Sequence, residues 1–572
     1  MAYEAYVDSP PQRGNHLFCG ISRLQADYRK LAVSTLILYQ QELERARGDI
    51  NTMQFSTLSN RLTRWQWAGL ASLFVIAFIT IIQYPLATTS TDPISASKNA
   101  YSLTASGVVS KFHLLLPASG YHFRLCRAVA SAIALGYPVP VLNGWMKEGD
   151  LDASKTHLAK VRTVMQYLDS LPASSDDDLV LMIDAYDVVF QIPPDVLIKR
   201  YFTITKAASA RLALRYGINS TESLLADDAP RQTILFGPEK VCYPVDWSRV
   251  GCWAVPEDIG IPHGAFGPDD GQLHHNLPRW LNSGTILGPA KDMRLMFAAT
   301  LDRIAKHYDP NHEYSDSDQM YMSDVWGVQE FSRSMRELRQ YFHGDIDPNA
   351  AFPTDDEKVV PNLEADQRTE YHIGIDHRSE LFQTRAGSDH ILEMLTFNET
   401  TDVNGTTTFA TVFQNIPESP NFTPYEIYLP SNLASSITRT LRLVEPAVGV
   451  VPNVTDLALE TNIVTKNIYG MFHSTGGKDW IDQLWTKLWF FPYVRPLFEA
   501  MVPALQAGWP IAVADGRTWV PSHTLSANSS VIQGINATGA WKDIDDGWLS
   551  WQELCGAFHA EVFDGYTPPM DD

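Results

Sequence analysis

Hydrophobic and polar positions divide this chain unequally. No charged residue occurs from Trp65 to Thr91, and the stretch WQWAGLASLFVIAFITIIQYPL predicts a single membrane-spanning helix over 65–86. Arg61 and Arg64 flank its N-terminal side, and Trp65, Trp67 and Tyr84 stand where amphipathic rings prefer the headgroup level. This arrangement orients residues 1–64 toward the cytosol and the rest toward a lumen. A cleaved signal peptide fits less well, because the apolar core is too long, begins far from Met1 and lacks a small-residue cleavage site.

Residues 87–110 are poor in large apolar side chains and rich in Ser, Thr and Ala, as in a stem. The pattern then changes. KFHLLLPA predicts a strand, FRLCRAVASAIALG a helix stopped by Gly136, and PVPVLNGW a second strand. THLAKVRTVMQYLDSLP carries Leu158, Val161, Val164, Met165 and Leu168 at helical spacing, and the uninterrupted apolar run LVLMI predicts a strand covered on both faces. Strand, helix, strand, helix, strand implies an α/β fold with a mostly parallel sheet flanked by helices. The folded domain is expected over 111–515, with an irregular insertion at about 385–430 and a C-terminal extension at 516–572.

Composition narrows the class. A formal charge of −22 without a Lys/Arg stripe argues against a nucleic-acid partner. Asn-x-Ser/Thr sequons fall at Asn219, Asn398, Asn404, Asn421, Asn453, Asn528 and Asn536, all beyond the apolar segment, in keeping with a lumenal C-terminal part. Cys19 stands alone before the apolar segment, whereas Cys126, Cys242, Cys252 and Cys555 form an even set beyond it. Cys242 and Cys252 enclose a short loop and are the expected disulfide; two buried thiols are the competing arrangement. Span, stem and sequons together describe a single-pass type II protein of the Golgi or endoplasmic reticulum membrane.

Candidate chemistry begins at the end of LVLMI, where DLVLMIDAYDVVFQ places Asp184 and Asp187 just past a buried strand. Ligands of open α/β sheets bind beyond the carboxyl ends of the strands. Carboxylates there suit Mn²⁺ or Mg²⁺, which in turn bind a diphosphate. A polar turn explains a bare D-x-x-D better than a metal site does, so the second signal matters: in YGMFHSTGGKDW, His473 offers an imidazole ligand, while Gly476, Gly477 and Lys478 suit close approach to phosphate. His343 and Asp345 form an H-x-D pair, but it lies inside the domain, and the stretch after YGMFHSTGGKDW is too short for a separate iron-binding fold.

LMIDAYDVVFQ, FGPEKVCYPVDW, RWLNSGTILGP, SDSDQMYMSDV, IGIDHRSELFQ and YGMFHSTGGKDW occur in the same order as motifs of the PLOD-like glycosyltransferases, the transferase domain of procollagen lysyl hydroxylases and collagen galactosyltransferases. The chain resembles a divergent, fungal-type member of that group over roughly Lys111 to Trp489. The resemblance implies a GT-A fold and hexose transfer, glucose or galactose, from a UDP-sugar to a protein or glycan acceptor. It implies Asp184, Asp187 and His473 as metal ligands, Tyr186 beside the nucleotide, Asn282, Ser283 and Gly284 at the donor sugar, and Gly476 and Lys478 at the phosphates. It also implies Asp316 and Asp318 as the catalytic carboxylates, near sugar or acceptor, although Ser317 interrupts the acidic run that the group carries there. Two other classes stay open: a catalytically silent glycan-binding or partner-binding member, and a metal-dependent nucleotide-sugar hydrolase.

Overall fold

The computed structural model describes residues 107–565 apart from 219–225, 227, 348–357, 365–366, 402–406, 414–424, 526–533 and 544–546. The expected membrane helix at 65–86 and most of the stem lie outside these residues. Among the described residues no helix is long and apolar enough to cross a membrane.

The first five elements follow the hydrophobic pattern closely. They are β1 (Val108–Pro117), α1 (Phe123–Leu135), β2 (Val141–Asn143), α2 (Leu158–Ser170) and β3 (Leu179–Ile183). Gly136 ends α1 in the left-handed region, φ 86°, where a residue without Cβ sits without strain. β1 pairs in parallel with β2, Leu115 opposite Val141, and with β3, Phe112 opposite Leu179. Its side chains alternate between two cores. Phe112, Leu114 and Leu116 pack in the core that includes α1, while Leu115 joins Val180 and Met182 in the core that includes α2.

The chain continues through β4 (Val188–Phe190), α3 (Pro194–Arg215), β5 (Ile234–Glu239), β6 (Trp280–Pro289), α4 (Ala290–His307), α5 (Asp318–Phe342) and β7 (Ile373–Ile375). β6 runs antiparallel between β3 and β5, and β7 closes that side parallel to β5. Two later strands, β8 (Phe382–Thr384) and β9 (Met471–His473), form a small sheet with β4 in the order β4-β9-β8.

Two segments differ from expectation. The insertion at 385–430 contains a three-stranded antiparallel sheet, Asn398–Thr401, Thr407–Phe413 and Tyr425–Leu429. The C-terminal residues belong to the main sheet: β10 (Ala512–Ala514), β11 (Arg517–Pro521), β12 (Gly539–Lys542) and β13 (Trp548–Ser550) complete ten strands, with β13-β12-β2-β1-β3-β6-β5-β7 as the main order and β11 beside β1. A disulfide between Cys126 and Cys555 ties α1 to the segment after β13, and the expected Cys242–Cys252 bridge is present.

Candidate metal and donor site

The two aspartates leave β3 as the pairing with β6 ends. Ile183 stands opposite Thr285, and the next amide, Asp184 N, donates to Gly284 O at 2.8 Å. Asp187 directly precedes β4, which pairs antiparallel with β9 so that Val188 faces His473. Ser474 N donates to Asp187 O at 2.8 Å, extending that ladder by one bond. Sheet pairing thus brings a histidine from far along the chain to the aspartates. His473 Nε2 lies 3.4 Å from Asp187 Oδ2 and 3.9 Å from Asp184 Oδ2.

A glycine makes this approach possible. A Cβ on Gly284 would sit 2.1 Å from His473 Cε1 and 2.8 Å from Asp184 Oδ2, so no side chain fits there. Gly476, φ 78°, turns the loop after β9, and Lys478 on that loop donates to the Asp187 carboxylate. Ser474 Oγ holds the loop by donating to Gly477 O at 2.8 Å.

Lys160, which the sequence reading passed over, is the other cation of the site. Its ammonium stands 2.9 Å from Asp184 Oδ1 and 2.6 Å from Asp318 Oδ2, with 10 % of the side chain exposed. Burial works against the charge, but Asp184 and Asp318 outweigh it and raise the Lys160 pKa. Burial likewise opposes ionisation of Asp184, and Lys160 with His473 reverses that balance, leaving its pKa below the ordinary carboxylate range. For His473, burial dominates over the pull of Asp184 and lowers the imidazole pKa, so the ring is neutral at neutral pH.

Donor atoms and charge fit a divalent cation. Two carboxylates and a neutral imidazole offer ligand atoms within 4.8 Å of one another, the hard-oxygen and nitrogen set that suits Mn²⁺ or Mg²⁺. His473 Nδ1 has no hydrogen-bond partner among the described residues, and Nε2 is the ring nitrogen nearest the two carboxylates.

The residues expected at the donor sugar are gathered nearby. Asn282 Nδ2 donates to Glu239 Oε2 at 2.9 Å and Gln319 Oε1 at 3.3 Å, and its Oδ1 accepts from Gly284 N at 2.9 Å. The Asn282 amide is therefore engaged by protein and braces β6 where its register against β5 shifts. Ser283 N donates to Gln319 Oε1 at 3.3 Å, and Ser283 O accepts from Lys160 at 3.4 Å. Glu239 is buried, which lifts its carboxyl to about 7 against the opposing hydrogen bond from Asn282. Glu239 was not singled out from sequence, although it ends a buried strand just as Asp184 follows one. The Tyr186 hydroxyl accepts from Ser119 N at 2.9 Å and Gly120 N at 3.0 Å, bracing the loop after β1.

Asp316 and Asp318 have separate partners. Asp318 opens α5 and meets Lys160, whereas Asp316 accepts from the Thr156 hydroxyl and from His157 N, the latter at 2.9 Å. No protein-family model matches the chain, and no curated protein matches it significantly.

Proposed function

We propose that the protein is a UDP-sugar-dependent hexosyltransferase with a GT-A arrangement, lumenal in the Golgi or endoplasmic reticulum and anchored by the 65–86 segment. The observation that carries this reading is the convergence of Asp184 and Asp187 with His473 and Lys478 at the carboxyl end of a central strand. Exposed sequons at Asn398 and Asn453 support a lumenal setting.

In this reading Asp184, Asp187 and His473 would hold Mn²⁺ or Mg²⁺. When bound, such an ion supplies positive charge to a diphosphate leaving group. Lys478, 44 % exposed, is free to exchange the Asp187 carboxylate for a phosphate oxygen, and the Gly476 turn lets the backbone approach it. Tyr186 and the loop it braces flank the nucleotide side. Asn282, Ser283 and Gly284 shape the floor on the sugar side, and Asp318 is the carboxylate placed to accept a hydrogen bond from a sugar or acceptor hydroxyl. The acceptor is a protein or glycan.

Calorimetry on the purified protein tests this directly. UDP is expected to bind in the presence of Mn²⁺ and not in EDTA, and Asp187→Ala is expected to abolish that binding. Mn²⁺-independent UDP binding, or none at all, would remove the basis of the proposal. Release of UDP from UDP-hexose at a rate indifferent to every acceptor would favour a hydrolase, and metal-dependent UDP binding without turnover would favour a silent member.

A further inference from the structure

The run SDSDQ supplies two aspartates that resemble one another in sequence and differ in what they touch. Asp318 reaches the Lys160 ammonium. Asp316 reaches the beginning of the helix that carries Lys160. Its Oδ1 accepts from the Thr156 hydroxyl, while its Oδ2 accepts from His157 N at 2.9 Å and stands 3.0 Å from His157 Nδ1.

His157 is the N-cap position of α2 and makes no side-chain cap bond of its own. The first amides of a helix have no intrahelical acceptor, and a carboxylate there both satisfies one and complements the positive end of the helix. Asp316 provides that carboxylate from a distant part of the chain. Lys160 lies three residues beyond His157, on the first turn that this cap organises.

We infer that Asp316 is a positioning residue: it fixes the first turn of α2 so that Lys160 stays between Asp184 and Asp318. The two aspartates then hold α2 at two points, one at its backbone and one at its buried cation. Both Asp316 oxygens are already engaged, which leaves Asp318 as the carboxylate of the run that faces the site. The rate readout below rests on the transferase proposal; the labelling readout does not.

The first measurement is lysine acetylation of the full chain by an N-hydroxysuccinimide ester, read at Lys160 by peptide mass spectrometry. Lys160 is expected to be protected in the wild type and to react about tenfold faster in Asp316→Ala, the size of a lost helix cap expressed as a ratio, with Lys306 and other surface lysines unchanged. Equal protection of Lys160 in both proteins would overturn the inference. Should Asp316→Ala fail to fold, Asp316→Asn keeps the shape and one acceptor but removes the negative charge at the start of α2; a rise of about threefold at Lys160 is expected, and unchanged labelling would overturn the inference.

The second measurement is UDP release from UDP-hexose. Asp316→Ala is expected to lower kcat by about tenfold with Mn²⁺-dependent UDP affinity unchanged, and to cost nothing further in a Lys160→Met background. An undiminished effect in that background would show that Asp316 acts on substrate rather than through Lys160. If the wild type neither binds UDP nor releases it, the transferase proposal falls while the labelling result still decides the role of Asp316.

Discussion

Lys160 and Lys240 are both buried, and they are held in opposite ways. Lys160 sits between the carboxylates of Asp184 and Asp318, and those charges raise its pKa despite burial. Lys240 is 1 % exposed and donates to two backbone carbonyls, His274 O at 2.6 Å and Gly387 O at 2.8 Å, with its ammonium 4.2 Å from the centre of the Phe266 ring. Burial takes the Lys240 pKa down to about 7, and the more distant Asp389 and Glu239 only partly offset it. The contrast shows that burial alone does not set the charge of a lysine. Full negative charges at hydrogen-bond distance sustain the ammonium, whereas carbonyl dipoles and an aromatic face sustain it less well.

The sharpest way to break this contrast is Lys160→Met, which leaves Asp184 and Asp318 without their shared cation. A loss of about 3 kcal/mol in stability by urea denaturation is expected, since one partner of a buried ion group has been removed. Donor turnover should fall by about 100-fold or more, equivalent to about 3 kcal/mol. A variant as stable and active as the wild type would show that the two carboxylates need no fixed cation.

Next in size is the pH dependence of Lys240→Met. The folded-state pKa is lowered to about 7, below the unfolded value, so below about 7 the lysine is protonated in both states and its full burial cost is present. From there toward the unfolded pKa the unfolded chain holds the extra proton, and stability rises with pH. The wild type should therefore gain on Lys240→Met by about 2 kcal/mol between about pH 6 and about pH 9. Parallel stability curves for the two proteins would mean that Lys240 remains charged when buried. The smallest effect belongs to Phe266→Leu, which removes the ring under the ammonium. A cost of about 1 kcal/mol at about pH 6, shrinking toward about pH 9, is expected from thermal melts at the two pH values.

The same two lysines mark how much of the site could be read in advance. Asp184 was legible because it follows a run of five buried apolar residues, and His473 because glycines and a lysine follow it. Lys160 was not, since a lysine on an amphipathic helix is ordinarily solvated and only the opposing acids reveal that this one is buried. Asp316 and Asp318 look alike as letters. Their division depends on how α5 approaches α2, which a one-dimensional pattern does not contain.

In the fold, β1 to β3 and their two helices were plain from periodicity. β12 and β13 were not, because they stand in GAWKDIDDGWLS, where charged residues and glycine leave no apolar run like the PVPVLNGW around β2. The sheet within 385–430 was hidden for another reason. Asn398–Thr401 is exposed throughout, so its threonines show β-propensity but no alternation of apolar and polar positions.

The placement of the last strands has a consequence for synthesis. β11 lies against the first half of β1 and β12 against β2, so the earliest strands made wait for partners from the far end of the described chain. By the time His473 leaves the ribosome, every proposed metal ligand has been translated, yet β1 and β2 still present open edges, which are the usual templates for aggregation. A nascent chain halted near residue 510 would carry a complete set of ligands on an unfinished sheet. Chaperone dependence during translation should therefore track the last sixty or so residues more closely than the site itself.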